Sequence, residues 1–228
     1  MTIKEMVKEQ ALIVDKSLII FTPPVNVRHR GDILESMLFA QMGANNKVPE
    51  DTNSIDWYNA YIDTLSKIGW EVEGGELRNV STSANHIELH KVIINILTGA
   101  FGSCFARITS TVLNTIRSIV NGITSDAGAH GTIEAFERNT HTEKSGSFQI
   151  AVATEESGCL SIRLGTFLIT TTDTIKHILF MKLVKDDTSL QYASSRLTLD
   201  QKVYNNTRQF IQNKLRGKAT QLVTEIPL

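Results

Sequence analysis

The chain has 228 residues, 41% of them apolar and 21% charged, with a formal net charge of −1. That is ordinary globular composition. It lacks both the basic excess of a nucleic-acid binder and an apolar run of the ~20 residues that a membrane-crossing helix needs.

Residues 17–21 (Ser-Leu-Ile-Ile-Phe) read as a short strand, stopped by Pro23 and Pro24. Asp32 is placed to cap a helix over residues 32–45, whose positions Ile33, Leu34, Met37, Leu38 and Gln41 keep helical spacing. Asn53 or Ser54 caps a second helix with Trp57, Tyr61, Leu65 and Ile68 along one stripe, ending at Gly69. Residues 71–80 read as a hairpin around Gly74 and Gly75. Two strongly apolar helices are expected over residues 87–101 and 105–123, separated by Gly99 and Gly102. Residues 126–147 read as a short helix and loop.

Three strand-like runs follow, at residues 148–154, 159–170 and 177–184. A Glu-Glu-Ser-Gly turn joins the first two. A C-terminal helix is expected over residues 200–215. In the third run Ile178, Phe180 and Val184 alternate with Leu179, Met181 and Leu183, so both faces are apolar and the sheet should be covered on both sides. Short turns between successive strands argue for antiparallel pairing. The expected architecture is one three-layer α/β/α sandwich over residues 1–228, with a central, mainly antiparallel sheet and helices on both faces.

The chemical motifs are few. There is neither a G-x-S-x-G elbow nor a phosphate-binding loop. His86 and His90 stand at i, i+4, but Glu88 is out of place for an H-E-x-x-H site and no third ligand suggests itself, so no metal is expected. His130 and His141 read as surface residues of a polar loop. Cys104 and Cys159 make no disulfide framework, and Cys104 reads as a buried thiol. Cys159 opens the second strand. On an unbroken strand it shares a face with Ser161, Arg163, Gly165 and Phe167. Arg163 either lowers the thiol's pKa or pairs with an acid near the sheet end. His177, at the start of the third run, is the candidate base for cysteine catalysis.

The order of elements resembles the Cyt-type cytolysins, the small bacterial insecticidal toxins of one α/β/α domain. Residues 31–42 look like their first long helix, residues 91–97 like their third, and residues 157–167 with 178–182 like two of their long adjacent strands. Residues 32–41, Trp57-Tyr58 and Ile68-Gly-Trp70 are similar to the helical half of the Erwinia virulence factor family. The resemblance runs over residues 17–216. This chain looks shorter than that family's type, which leaves room for a missing cover element.

Membership would imply a virulence or toxin-type protein that carries a palmitate-like fatty acyl group as a thioester, with the chain held inside the fold. Cys159 is the position that matches. A long acyl chain buried in an apolar tunnel gains on the order of 10 kcal/mol before entropy costs, at about 0.8 kcal/mol per CH₂. The partner is then a lipid or membrane rather than nucleic acid, with oligomers forming on the membrane. With no basic-then-apolar signal at its start, the chain is expected to be made in the bacterial cytoplasm and to act as a peripheral membrane protein or one released to a host. Two alternatives stand beside this reading. One is a pore-forming cytolysin whose apolar helices swing away so that the strands enter the bilayer. The other is a cysteine-dependent acyl-transfer enzyme, weakened by the lack of a recognisable base.

Overall fold

The computed structural model describes residues 10–23, 25–49, 53–80, 87–101, 136–184, 187–216 and 223–226. Strand β1 (Gln10–Val14) folds back on β2 (Ser17–Phe21) through Asp15 and Lys16. Asp15 takes the left-handed conformation (φ 51°) that so tight a hairpin demands. Strand β2 was expected; β1 was not.

Helix α1 spans Val27–Lys47 and begins one turn and a half before the expected start. Its cap is Asn26, whose side chain accepts a hydrogen bond from His29 N at 2.9 Å. Asp32 is therefore no cap. It lies inside the helix, 3% exposed, and is held by Arg208, with Nη2 2.7 Å from Oδ2. Helix α2 (Ser54–Lys67) is capped by Asn53, which accepts from the amides of Ile55 and Asp56, and its stripe of Trp57, Tyr61 and Leu65 is buried as expected.

The hairpin expected around Gly74 and Gly75 does not form. Strands β3 (Trp70–Gly74) and β4 (Arg78–Asn79) both pair antiparallel with one strand, β9 (Thr188–Leu199). Gly74 faces Ser195 and Arg78 faces Tyr192, so three residues on this edge oppose two on β9. That is a bulge, and Gly74 and Gly75, both at positive φ, absorb it.

After a two-residue strand, β5 (Ile87–Glu88), helix α3 runs over Leu89–Phe101. The helix expected over residues 105–123 lies outside the described residues, as do Cys104, His86 and His130. Of the expected short helix and loop, residues 136–140 are helical.

Strands β6 (Ser145–Glu156) and β7 (Cys159–Thr171) form one long hairpin, in register from Ser145↔Thr170 to Glu156↔Cys159. Ser157 and Gly158 both take positive φ at its turn, which matches the twist of the flanking strands.

The third expected strand is a correction. Ile178–Phe180 is a single 3₁₀ turn, and Lys182–Leu183 (β8) pairs with β5 in a separate two-stranded sheet. The amide of Ile178 donates to buried Glu137 Oε2 at 2.9 Å, and that of Met181 to Ile178 O, so the segment coils despite its alternating pattern. Ile178, Leu179 and Leu183 are buried all the same, as a plug over one sheet face. The third long strand is β9. Helix α4 (Gln201–Leu215), capped by Asp200, follows as expected. An unforeseen strand, β10 (Val223–Ile226), then pairs with β1.

The main sheet is eight-stranded, ordered β10-β1-β2-β6-β7-β9-β3, with β4 also on β9. Only β2–β6 is parallel among these pairs. Alternation along each strand gives two cores. Helices α1, α2 and α4 bury Phe21, Leu160, Ile162, Leu164 and Leu197 on one face. On the other, α3 and the Ile178 plug bury Phe148, Ile150, Phe167 and Ile169. This is the α/β/α sandwich expected. Helices α1, α2 and α4 share one side.

Candidate functional site

The α3-side face of the sheet is apolar over one half and polar over the other. The apolar half centres on stacked Phe148 and Phe167, whose ring centroids are 5.1 Å apart. Helix α3 docks where β7 has Gly165, because a Cβ there would stand 2.7 Å from Leu97 Cδ2. Toward the β6–β7 turn the same face carries Arg163, Ser161 and Cys159 on β7, Arg196 and Thr198 on β9, and Glu71 and Glu73 on β3. All seven are at least partly exposed.

Cys159 is exposed at the mouth of the turn, directly across from Glu156. Ser161 lies beside it on the face, its hydroxyl 2.9 Å from that of Thr154. Arg163 is directly opposite Arg196, and neither makes an ion pair among the described residues. Like charges so placed repel, and the acidic partner that one of the two sequence readings gave Arg163 is not found among the described residues. His177 is at the other end of the sheet. Cys159 and Thr171 are the two ends of β7, roughly 40 Å apart at ~3.3 Å per residue, and His177 lies beyond Thr171. The geometry thus brings Cys159 near Ser161 and Arg163 and places His177, the candidate base, at the far end of the sheet.

His177 belongs to a different cluster. Glu137 Oε2 lies 3.3 Å from His141 Nε2 and 3.8 Å from His177 Nδ1, besides accepting the Ile178 amide. The hydrogen bond that His141 donates to Glu137 raises the His141 pKa above the usual imidazole value, against the opposing effect of burial. A cavity of about 390 Å³, lined by Asp173, Lys176, His177, Met181 and Val184, opens next to it. His90 lies 3.6 Å from Glu88, which is also paired with Lys91. No group of three metal-ligating side chains occurs among the described residues, and no helix among them is long and apolar enough to cross a membrane.

A second cavity, about 500 Å³, lies between the end of α3 and the bulged edge of the sheet. Its polar lining is Glu76, Arg78, Asn95, Tyr192 and Ser194. Neither cavity is lined by Cys159. Buried apolar side chains make up the interlayer cores on both faces of the hairpin.

The hairpin's turn end is tied to the helical layer. Glu155 Oε2 is 3.0 Å from His29 Nδ1 and accepts from Asn26 N at 3.1 Å. Burial acts to raise the Glu155 carboxyl, but the hydrogen bonds from His29 and Asn26 outweigh it and hold the pKa below the usual carboxylate value. Sequence reasoning missed this tie. The signal available was an acidic pair beside a turn and a histidine in a capped first turn.

No family model and no curated protein matches the chain. Among solved structures it is similar to a delta-endotoxin, with 12% identity and TM-score 0.47, covering 87% of this chain and 88% of that one. It is similar to an activated Cyt2Ba monomer from Bacillus thuringiensis subsp. israelensis, with 12% identity and TM-score 0.43, covering 81% and 96%. It is also similar to the Evf virulence factor, with 11% identity and TM-score 0.37, covering 89% and 76%.

Proposed function

We propose that this chain is a toxin-type protein that acts on lipid membranes by unpacking its central strands. One observation carries the reading. Strands β6, β7 and β9 are contiguous, antiparallel and 12, 13 and 12 residues long, and they send buried apolar side chains to both faces of the sheet, Leu160, Ile162, Leu164 and Leu197 to one and Phe148, Ile150, Phe167 and Ile169 to the other. A strand needs about 9–11 residues to cross the hydrocarbon core. Strands half-exposed in water do not need apolar residues on both faces, and these are covered by helices that can leave without breaking a sheet hydrogen bond. The resemblance of the sequence to cytolysins supports the same class. Closed assembly of several copies would satisfy the free strand edges in the bilayer.

A second reading concerns Cys159, and its exposure favours it. A thiol at the hairpin turn is open to S-acylation, and an acyl chain there would anchor the turn to a bilayer from outside the fold. One chain gives marginal binding alone, so it would assist the strands rather than replace them.

Release of dye from lipid vesicles tests both. Rapid leakage by unmodified protein, unchanged in Cys159→Ser, supports strand entry; leakage abolished in Cys159→Ser supports the acyl anchor. Intact mass before and after neutral hydroxylamine detects the thioester directly. Failure of the protein to bind or permeabilise vesicles in either form overturns the proposal.

A further inference from the structure

The cavity at the bulged edge has features that membrane entry does not use. Five polar side chains line it: Glu76, Arg78, Asn95, Tyr192 and Ser194. None of the five makes a side-chain hydrogen bond or ion pair among the described residues. Convergent, unengaged polar groups in a concavity are the usual makings of a small-molecule site. Its size, about 500 Å³, admits one ring with substituents.

Gly99 supplies a second, independent observation. It is helical, two residues before the end of α3 at Phe101, and glycine in a helix is less favourable than alanine. Steric need does not explain it, since a Cβ at this position would meet nothing within 4 Å. Gly99 lines the cavity, so a side chain there would occupy the space a ligand needs.

The charge pattern indicates the ligand. Ser194 on the cavity wall is two residues before Arg196 on the same face of β9, about 7 Å along the strand. Arg163 is directly opposite Arg196, and Arg78 is on the cavity wall. Arg78 is thus in the lining, and Arg196 and Arg163 stand beyond Ser194 on the same face of the sheet. Glu73 is opposite Arg196 and Glu76 is in the lining, but neither forms an ion pair with these arginines. Arginine recognises phosphate through paired N–H groups. Glu76, Asn95, Ser194 and Tyr192 offer the acceptors and donors that ring hydroxyls take.

We infer that this cavity binds a phosphorylated polyol, with the ring hydroxyls on the Glu76–Asn95 side and the phosphate among Arg78, Arg196 and Arg163. The same chemistry occurs in soluble sugar phosphates and in inositol-phosphate lipid headgroups. The inference stands apart from membrane entry, because a soluble probe reads it without a bilayer.

Calorimetric titration with glucose 6-phosphate, glucose and inorganic phosphate is the test. Flotation on phosphatidylcholine vesicles with and without phosphatidylinositol 4-phosphate forms its lipid arm. Glucose 6-phosphate is expected to bind at least about tenfold more tightly than glucose or phosphate alone. Capture only by the phosphoinositide vesicles assigns the headgroup as the source. Gly99→Leu should abolish binding and Arg196→Gln should weaken it about tenfold, each with an unchanged thermal midpoint. Absence of binding in both arms, or binding that survives Gly99→Leu, overturns the inference.

Discussion

Glu155 near the end of β6 and His29 in the first turn of α1 meet at 3.0 Å, Oε2 to Nδ1, with both side chains largely buried. Asn26, the cap of α1, donates to the same carboxylate from its backbone and its side chain. One carboxylate therefore fastens the turn end of the longest hairpin to the start of the longest helix.

Replacing Glu155 by Gln should loosen that end first. The hydrogen bonds lost cost about 1 kcal/mol, read as a lower denaturation midpoint and faster amide exchange around Ser157. Acid should mimic the change. The folded-state pKa of Glu155 lies below its unfolded value, so its contribution is present above about pH 4.5 and is lost as pH falls through the folded pKa. If vesicle leakage needs this end to open, Glu155→Gln leaks faster at neutral pH than the parent.

His141 should give a dependence of opposite sign. Glu137 raises its folded-state pKa, so the stabilisation is complete below about pH 6.5 and disappears as pH rises through the folded value. His177 and the backbone carbonyl of Thr142 are the other groups facing this cluster. Denaturation curves between about pH 6 and about pH 9 should show a loss that His141→Gln removes. An unchanged slope in that variant would refute the assignment.

The Asp32–Arg208 pair joins α1 to α4 beneath the surface, with side chains 5% and 17% exposed. Arg208→Leu leaves Asp32 buried without its cation and should cost about 3 kcal/mol. A double-mutant cycle with Asp32→Asn should recover part of that loss. Simple additivity would mean that the two residues act independently.

Gly165→Val forces a side chain against Leu97, where α3 rests on β7. Overpacking of this kind costs about 1–3 kcal/mol. The expected signature is a lower thermal midpoint together with faster vesicle leakage, since α3 is the cover most directly weakened. A destabilised variant with slower leakage would count against α3 departing during membrane entry.

The thiol of Cys159 should react with an aromatic disulfide reagent in the native protein about as fast as in denaturant, because the residue is exposed. Slow reaction in the native state would contradict the placement of the β6–β7 turn.

Long elements with strong local signals were legible in the chain. The β6–β7 hairpin has its turn chemistry in Ser157-Gly158, and α2 and α4 carry their caps in sequence as Asn53 and Asp200. Misreadings arose where tertiary contacts override local pattern. Asp32 looked like a helix cap, yet α1 runs through it because Asn26 caps earlier. Residues 177–184 alternate like a strand, but the Glu137 carboxylate captures the Ile178 amide and bends the chain. Gly74-Gly75 looked like a hairpin turn and proved to be a bulge, a distinction that depends on β9, more than a hundred residues away. Cys159, Ser161 and Arg163 were placed on one face from alternation alone. That Arg196 stands opposite Arg163, and that Arg78 lines the cavity beside Tyr192, follows from strand register, which no local spacing encodes.

The kink between β3 and β4 also governs what the sheet can do with its neighbours. A flat outer strand would offer a continuous ladder of amides and carbonyls to any passing copy, whereas this border is broken by a bulge and carries Glu71, Glu73 and Glu76. Such a border is a poor template for side-by-side growth in water. Copies that meet at this border in water are thereby kept from stacking into fibres through it.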